Sequence, residues 1–112
     1  VVQVETAKAV ENLEAIASIP GVDVLFVGPL DLSISLQKTG RFNDPDFIAV
    51  LRKISEVVTS AGKAAGILLP KLSEVPLAVE LGFTFVAVGT DGGIVTAGMK
   101  ECITAMDKYR HH

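Results

Sequence analysis

The stretch VDVLFVGPLDLSISLQKTGRFNDPDFIAVLRKISEVVTSAGKAAGILL, residues 22–69, decides the fold. Val22 to Val27 is apolar, β-branched and too short for a helix, so it reads as a buried strand. A long loop is expected from Gly28 to Asn43. Asp44 then stands as an N-cap with Pro45 at the first helical position, and Phe47, Leu51, Ile54 and Val58 recur at helical spacing until Gly62. The next run, Ala64 to Leu69, is again a strand. Strand, helix, strand with apolar runs on both faces is the pattern of a parallel sheet.

The same alternation extends outward in both directions. Upstream, Val1 to Val4 reads as a strand. Thr6 is an N-cap, and Ala9, Val10, Leu13, Ile16 and Ala17 form one helical face that ends at Pro20-Gly21. Downstream, a helix is expected from about Ser73 to Leu81 with Gly82 after it, then a strand from Thr84 to Val88. Gly89-Thr90-Asp91-Gly92-Gly93 makes the following turn, and a last helix carries the stripe Val95, Gly98, Cys102, Ala105, Met106 and Tyr109. The prediction is therefore α/β: four βα units with a parallel sheet. A complete (β/α)8 barrel takes roughly 250 residues, and 112 residues is close to half of one. The rival reading is a self-sufficient small α/β binding module with a reversed strand order and both faces covered. A structural or assembly fragment without catalysis is the other.

Composition narrows the function classes. Apolar residues make up 49% of the chain, charged residues 21%, and the mean hydropathy is +0.47, which excludes a disordered chain. A net charge of −3 with 5% aromatics offers no basic, stacking surface, so nucleic acid is not an expected partner. No apolar run reaches the roughly 18 residues of a membrane span, and no secretory leader is evident, so a cytoplasmic chain without a membrane partner is expected. The single cysteine, Cys102, fits a reducing compartment and is expected to be inert packing on its helix. The only histidines are His111 and His112, which read as the remnant of a purification tag after a domain of residues 1–110.

Two carboxylates stand at matching places, Glu5 after the first strand and Asp31 after the second. The carboxyl ends of parallel strands are where sites of this class assemble. Two hard oxygen donors there suit Mg²⁺ or Mn²⁺ with positions left for water and substrate. A helix-terminus role for Glu5 and a capping role for Asp31 fit the bare residues equally well. Gly28-Pro29 turns the chain so that backbone N–H groups could meet an anion, although ordinary turn chemistry is the favoured reading of that stretch alone. In the turn at residues 89–93, Asp91 is favoured as a plain N-cap over a ligand, because neither a Walker lysine nor a dinucleotide fingerprint is present.

Val2-Gln3-Val4-Glu5-Thr6, Phe26-Val27-Gly28-Pro29-Leu30-Asp31-Leu32-Ser33, Gly62 to Leu68 and Phe85 to Gly89 together resemble the carboxyl-terminal half of the HpcH/HpaI aldolase family. The resemblance implies half of a (β/α)8 TIM barrel from a class II, divalent-metal-dependent aldolase, a carbon–carbon lyase that cleaves or forms 4-hydroxy-2-oxo acids with pyruvate as enolate donor. It implies Glu5 and Asp31 as ligands of Mg²⁺ or Mn²⁺, and raises that reading above the capping one. It implies that the amides of Leu30 and Asp31, after Gly28 and Pro29, accept the carboxylate of pyruvate or a related 2-oxo acid. Gln3 falls near the metal, and Leu68 and Thr90 at the pocket wall, with Thr90 a polar departure. The family's arginine and proton-transferring histidine come from early strands that this chain lacks, so no catalytic residue is expected here and the isolated chain is expected to be inactive. A bare half barrel also implies a homo-oligomer, at least a dimer.

Overall fold

Each of the four apolar runs becomes a strand in the computed structural model, which describes residues 1–38 and 42–110; the tag reading of His111 and His112 falls outside them. Strands β1 (Val2–Val4), β2 (Val24–Val27), β3 (Ala64–Leu69) and β4 (Phe85–Val88) pair in chain order, all parallel. The order 1-2-3-4 never reverses, so the sheet lacks the switch point of a doubly wound module. It is a run of consecutive βα units, as in part of a barrel.

Register separates the two faces of the sheet. Leu25, Val27, Ala65, Ile67 and Leu69 point to the helices and are at most 1% exposed, packed with Phe47, Leu51, Ile54 and Val58. Gln3, Phe26, Gly66 and Phe85 form one register row on the opposite face. No helix covers that row: Gln3 is exposed and Phe85 is 47% exposed. The Phe26 and Phe85 rings meet edge to face, 6.0 Å apart, across Gly66. Glycine is required between them, because a Cβ at residue 66 would lie 2.7 Å from Phe26 Cδ2 and 3.1 Å from the Phe85 carbonyl oxygen. One covered face and one bare face is the signature of a barrel segment, and it removes the self-sufficient module.

The helices follow their caps. Helix α1 (Ala7–Glu11) starts where Thr6 Oγ1 accepts the Ala9 amide at 3.1 Å. The expected single helix is two, because Asn12 at φ −95°, ψ 13° separates α1 from α2 (Leu13–Ala17). Asparagine bonds poorly into a helix interior, which makes it the weak point of that apolar face. The expected loop from Gly28 to Asn43 is also corrected, since Pro29–Ser35 forms helix α3. Proline at its first position presets φ, and burial of Pro29 and Leu32 holds the turn against the sheet. Helix α4 (Pro45–Ser60) begins at the Asp44 cap and ends before Gly62 at φ +76°. A 3-10 turn (Leu72–Glu74) leads into α5 (Val75–Leu81).

Helix α6 (Asp91–Asp107) departs from expectation twice. Thr90, not Asp91, is its cap, with Oγ1 accepting the Gly93 amide at 3.0 Å. Its apolar stripe is not buried: every residue of α6 is exposed, Cys102 included. A helix in this position packs between its own strand and the next, and β4 is the last strand here. The chain accordingly measures 63 × 27 × 21 Å, with a radius of gyration of 17.2 Å against about 13 Å for a compact domain of this size. Among the described residues no helix is long and apolar enough to cross a membrane.

The start of α4 carries a pH-sensitive clasp. Lys38 Nζ lies 3.1 Å from Asp46 and 3.3 Å from Asp44. Hydrogen bonds to Asp46 and Asp44 raise the Lys38 ammonium above its usual range. Partial burial pushes the Asp44 carboxyl up, but hydrogen bonds from Lys38 and from the Phe47 and Asp46 amides outweigh it and leave the group below its ordinary 3.8. A carboxyl depressed in the folded state adds stability above its unfolded pKa and loses it as pH falls through the folded one. Replacing Lys38 by Met removes part of that depression. The acid-unfolding midpoint followed by circular dichroism is expected to move to higher pH than in the wild type.

Candidate functional site at the carboxyl ends of the strands

The site is built where β1 and β2 end side by side. Val4 is fully buried, so the next residue, Glu5, emerges at the rim of the sheet, half-buried. The Gly28 amide donates to the Val4 carbonyl at 3.3 Å and extends the β1–β2 ladder by one step. A Cβ at residue 28 would stand 3.2 Å from Glu5 Oε2. Gly28 therefore leaves the space into which the Glu5 carboxylate packs.

Gly28 is also the N-cap of α3, and it brings no side-chain acceptor. Pro29 has no N–H. The first amide to bond within the helix is that of Leu32, to the Gly28 carbonyl at 2.9 Å. The amides of Leu30 and Asp31 consequently belong to the first turn and have no helical acceptor. They lie at the positive end of the helix, and Asp31 adds an exposed carboxylate on the same turn. Sequence reasoning missed a tie that holds this corner: Ser35 Oγ accepts the Ala7 amide at 2.8 Å, joining the end of α3 to the start of α1, two residues beyond Glu5. No pattern in the sequence signals that bond, because the partners are 28 residues apart.

A mostly apolar groove of about 920 Å³ opens on the same rim. It brings together four of the residues singled out from the sequence, Pro29, Leu30, Leu68 and Thr90. Gln3, Glu5, Gly28 and Asp31 do not line it: Gln3 sits on the bare face of β1, Glu5 packs against Gly28 at the neighbouring corner, and Asp31 stands exposed on the first turn of α3. Phe42, Leu72 and Ile94 are groove residues that the sequence reading did not anticipate. Leu72 could have been found, since it follows the end of β3, where rim residues gather.

The donor set is limited to oxygen. Among the described residues no three His, Cys, Asp or Glu side chains gather into a cluster; the carboxylates near this rim are Glu5, against Gly28, and Asp31, exposed on the first turn of α3. Among those residues, too, neither carboxylate is in an ion pair. Carboxylates are the hard oxygen donors that suit a divalent cation, and amides without a helical acceptor suit an anionic ligand.

Residues 1–97 match the family described as HpcH/HpaI aldolase/citrate lyase. The chain is 40% identical over 104 residues to a hydroxypyruvate/pyruvate aldolase of Chromohalobacter salexigens, covering 93% of this chain and 41% of that protein. It is 37% identical over 108 residues to a 5-keto-4-deoxy-D-glucarate aldolase of Salmonella arizonae, covering 96% and 42%. Its backbone matches the crystal structure of an HpcH/HpaI aldolase/citrate lyase family protein from Burkholderia cenocepacia with a TM-score of 0.86 at 32% identity, over 94% of this chain and 41% of the other. The chain thus spans about two fifths of the length of these relatives.

Proposed function

Because this chain belongs to the HpcH/HpaI aldolase/citrate lyase family, we propose that it is the carboxyl-terminal, divalent-metal-binding half of an aldolase acting on 4-hydroxy-2-oxo acids and pyruvate. The observation that carries this reading is the corner itself, where the Glu5 carboxylate packs against Gly28 at the head of α3. The side-chain-free residue 28 is the cradle a cation site at Glu5 needs, and the oxygen donor set fits Mg²⁺ or Mn²⁺.

In this reading Glu5 and Asp31 hold the cation. When bound, it supplies Lewis-acid polarisation of a 2-oxo carbonyl. The amides of Leu30 and Asp31 accept the substrate carboxylate, with the α3 dipole favouring its charge. Gln3 presents a polar group beside that corner, and Leu68 and Thr90 form the wall toward the groove. No histidine occurs in residues 1–110; on this reading the proton-moving group, and the arginine that the family resemblance places on an early strand, would come from the other half of the barrel. The bare row of Phe26 and Phe85 is covered by that half, or by a second copy when the chain stands alone.

Titration of the chain with Mn²⁺, followed by electron paramagnetic resonance, tests the assignment. One weak site per chain is expected, because two protein oxygens leave most of the coordination shell to water. Glu5→Gln combined with Asp31→Asn should leave all Mn²⁺ free. Binding that survives the double substitution puts the metal elsewhere and ends this reading.

A further inference from the structure

Glu5 lies between two cross-links that join the first βα unit to the second. One residue before it, the Val4 carbonyl accepts the Gly28 amide at 3.3 Å. Two residues after it, the Ala7 amide donates to Ser35 Oγ at 2.8 Å. The Gly28 bond falls at the head of α3 and the Ser35 bond at its last residue, so α3 is fastened at both ends to the segment that carries Glu5. The two fastenings differ in kind. The first runs backbone to backbone and prolongs the ladder, whereas the second depends on a single hydroxyl.

Ala7 is the first residue of α1, where amides have no helical acceptor. Thr6 Oγ1 takes the Ala9 amide, and the Ala7 amide finds its acceptor outside the helix, in Ser35. Ser35 and Asp31 are four residues apart in α3, and residues at that spacing lie one above the other on the same helical face. The face of α3 whose last turn meets Ala7 is therefore the face that carries Asp31 in its first turn. Burial of Pro29, Leu32 and Ser33 holds α3 down on the sheet, and the Ser35 bond sets which way its exposed face turns. Ser35 is itself exposed, so its bond holds position rather than fills space.

We propose that Ser35 is a positioning residue: by holding the Ala7 amide it turns the Asp31 face of α3 toward Glu5 and fixes the spacing of the two carboxylates. The inference rests on the reading of Glu5 and Asp31 as cation donors and adds the group that sets their geometry. A cation gripped by only two protein oxygens gains affinity when both are held in place before it arrives. Ser35→Ala keeps both carboxylates and the amides of Leu30 and Asp31 but removes the acceptor, so α3 and the Glu5 segment lose their common anchor. Loss of a group that orients metal ligands costs about 10–100-fold in affinity, and in a site with few protein donors the lower end, about tenfold, is expected.

Wild type, Ser35→Ala, Ser35→Thr and Thr59→Ala are compared well below their unfolding temperatures. Thr59 Oγ1 donates to the Ser55 carbonyl at 2.7 Å near the end of α4, where the chain is about to enter β3 at the opposite rim. Thr59→Ala thus removes one hydroxyl bond without touching the corner. In metal-free protein, amide NMR of Ser35→Ala should show faster exchange at Ala7 and displaced resonances at Glu5, Leu30 and Asp31, with the core resonances of Leu51 and Ile67 unmoved. Mn²⁺ titration followed by electron paramagnetic resonance should give Ser35→Ala a Kd about tenfold weaker than the wild type. Ser35→Thr, which keeps the acceptor, should restore it, and Thr59→Ala should bind as the wild type does even where its thermal midpoint falls. Unmoved resonances at Glu5, Leu30 and Asp31, undiminished Mn²⁺ affinity in Ser35→Ala, or equal weakening in Thr59→Ala overturns the proposal and leaves the cation reading standing. A wild type that takes no Mn²⁺, or a Glu5→Gln, Asp31→Asn chain that still takes it, ends the cation reading, and the proposal falls with it.

Discussion

Purified chain given Mn²⁺ and a 4-hydroxy-2-oxo acid is expected to release no pyruvate above the uncatalysed background in a lactate dehydrogenase-coupled assay. On the proposed reading a cation held by Glu5 and Asp31 would polarise a carbonyl, but a proton must still move at the hydroxyl of the substrate. Every histidine of the chain lies at position 111 or 112, and among the described residues the groove lining holds only Lys71, exposed, and Glu74, half-buried, as charged groups. A positioned general acid or base contributes about 10²–10⁴ in rate, and a charge-stabilising donor about 10²–10³. With both missing, the deficit is roughly 10⁴–10⁷, which places turnover below detection. Robust cleavage by these 112 residues alone would show that the chain contains its own proton-transfer group, and the half-enzyme reading would fail.

The parts of this architecture that local chemistry dictates were legible in the residues. Ala64 to Leu69 reads as a strand because nothing in it caps or turns, and Asp44-Pro45 marks a helix start that the Asp46 and Phe47 amides meet. Helix α3 was not legible: the residues that begin it, Gly28 and Pro29, are also those of a tight turn, and only burial of Leu32 and Ser33 decides between them. Nor was the fate of α6. Periodicity gives the stripe of Val95, Cys102 and Met106, but a stripe does not name its partner, and here the chain itself leaves it bare. For the site, spacing brought Glu5 and Asp31 forward as a pair. The packing of Glu5 against Gly28 and the bond from Ala7 to Ser35 depend on how β1 and β2 lie together, which no local pattern encodes.

The two faces of the sheet predict opposite fates for the same substitution. Val27 is fully buried between the sheet and its helices, in contact with the core of Leu25, Leu51 and Ile67. An aspartate there is a buried charge with no cation to meet it, a cost of about 3–5 kcal/mol where domains hold about 5–15 in all. Val27→Asp is expected to lose its cooperative thermal transition. Phe85 stands 47% exposed on the bare face, touching Phe26 only at a ring edge. Phe85→Asp leaves the core intact, and its carboxylate stays in water, so the helical circular dichroism signal should persist. What it removes is the apolar row that another half barrel would cover, so association through that face should fall in light scattering. If Phe85→Asp unfolds the chain as Val27→Asp does, the row across Gly66 is part of this chain's own core. The bare face would then need no second half barrel.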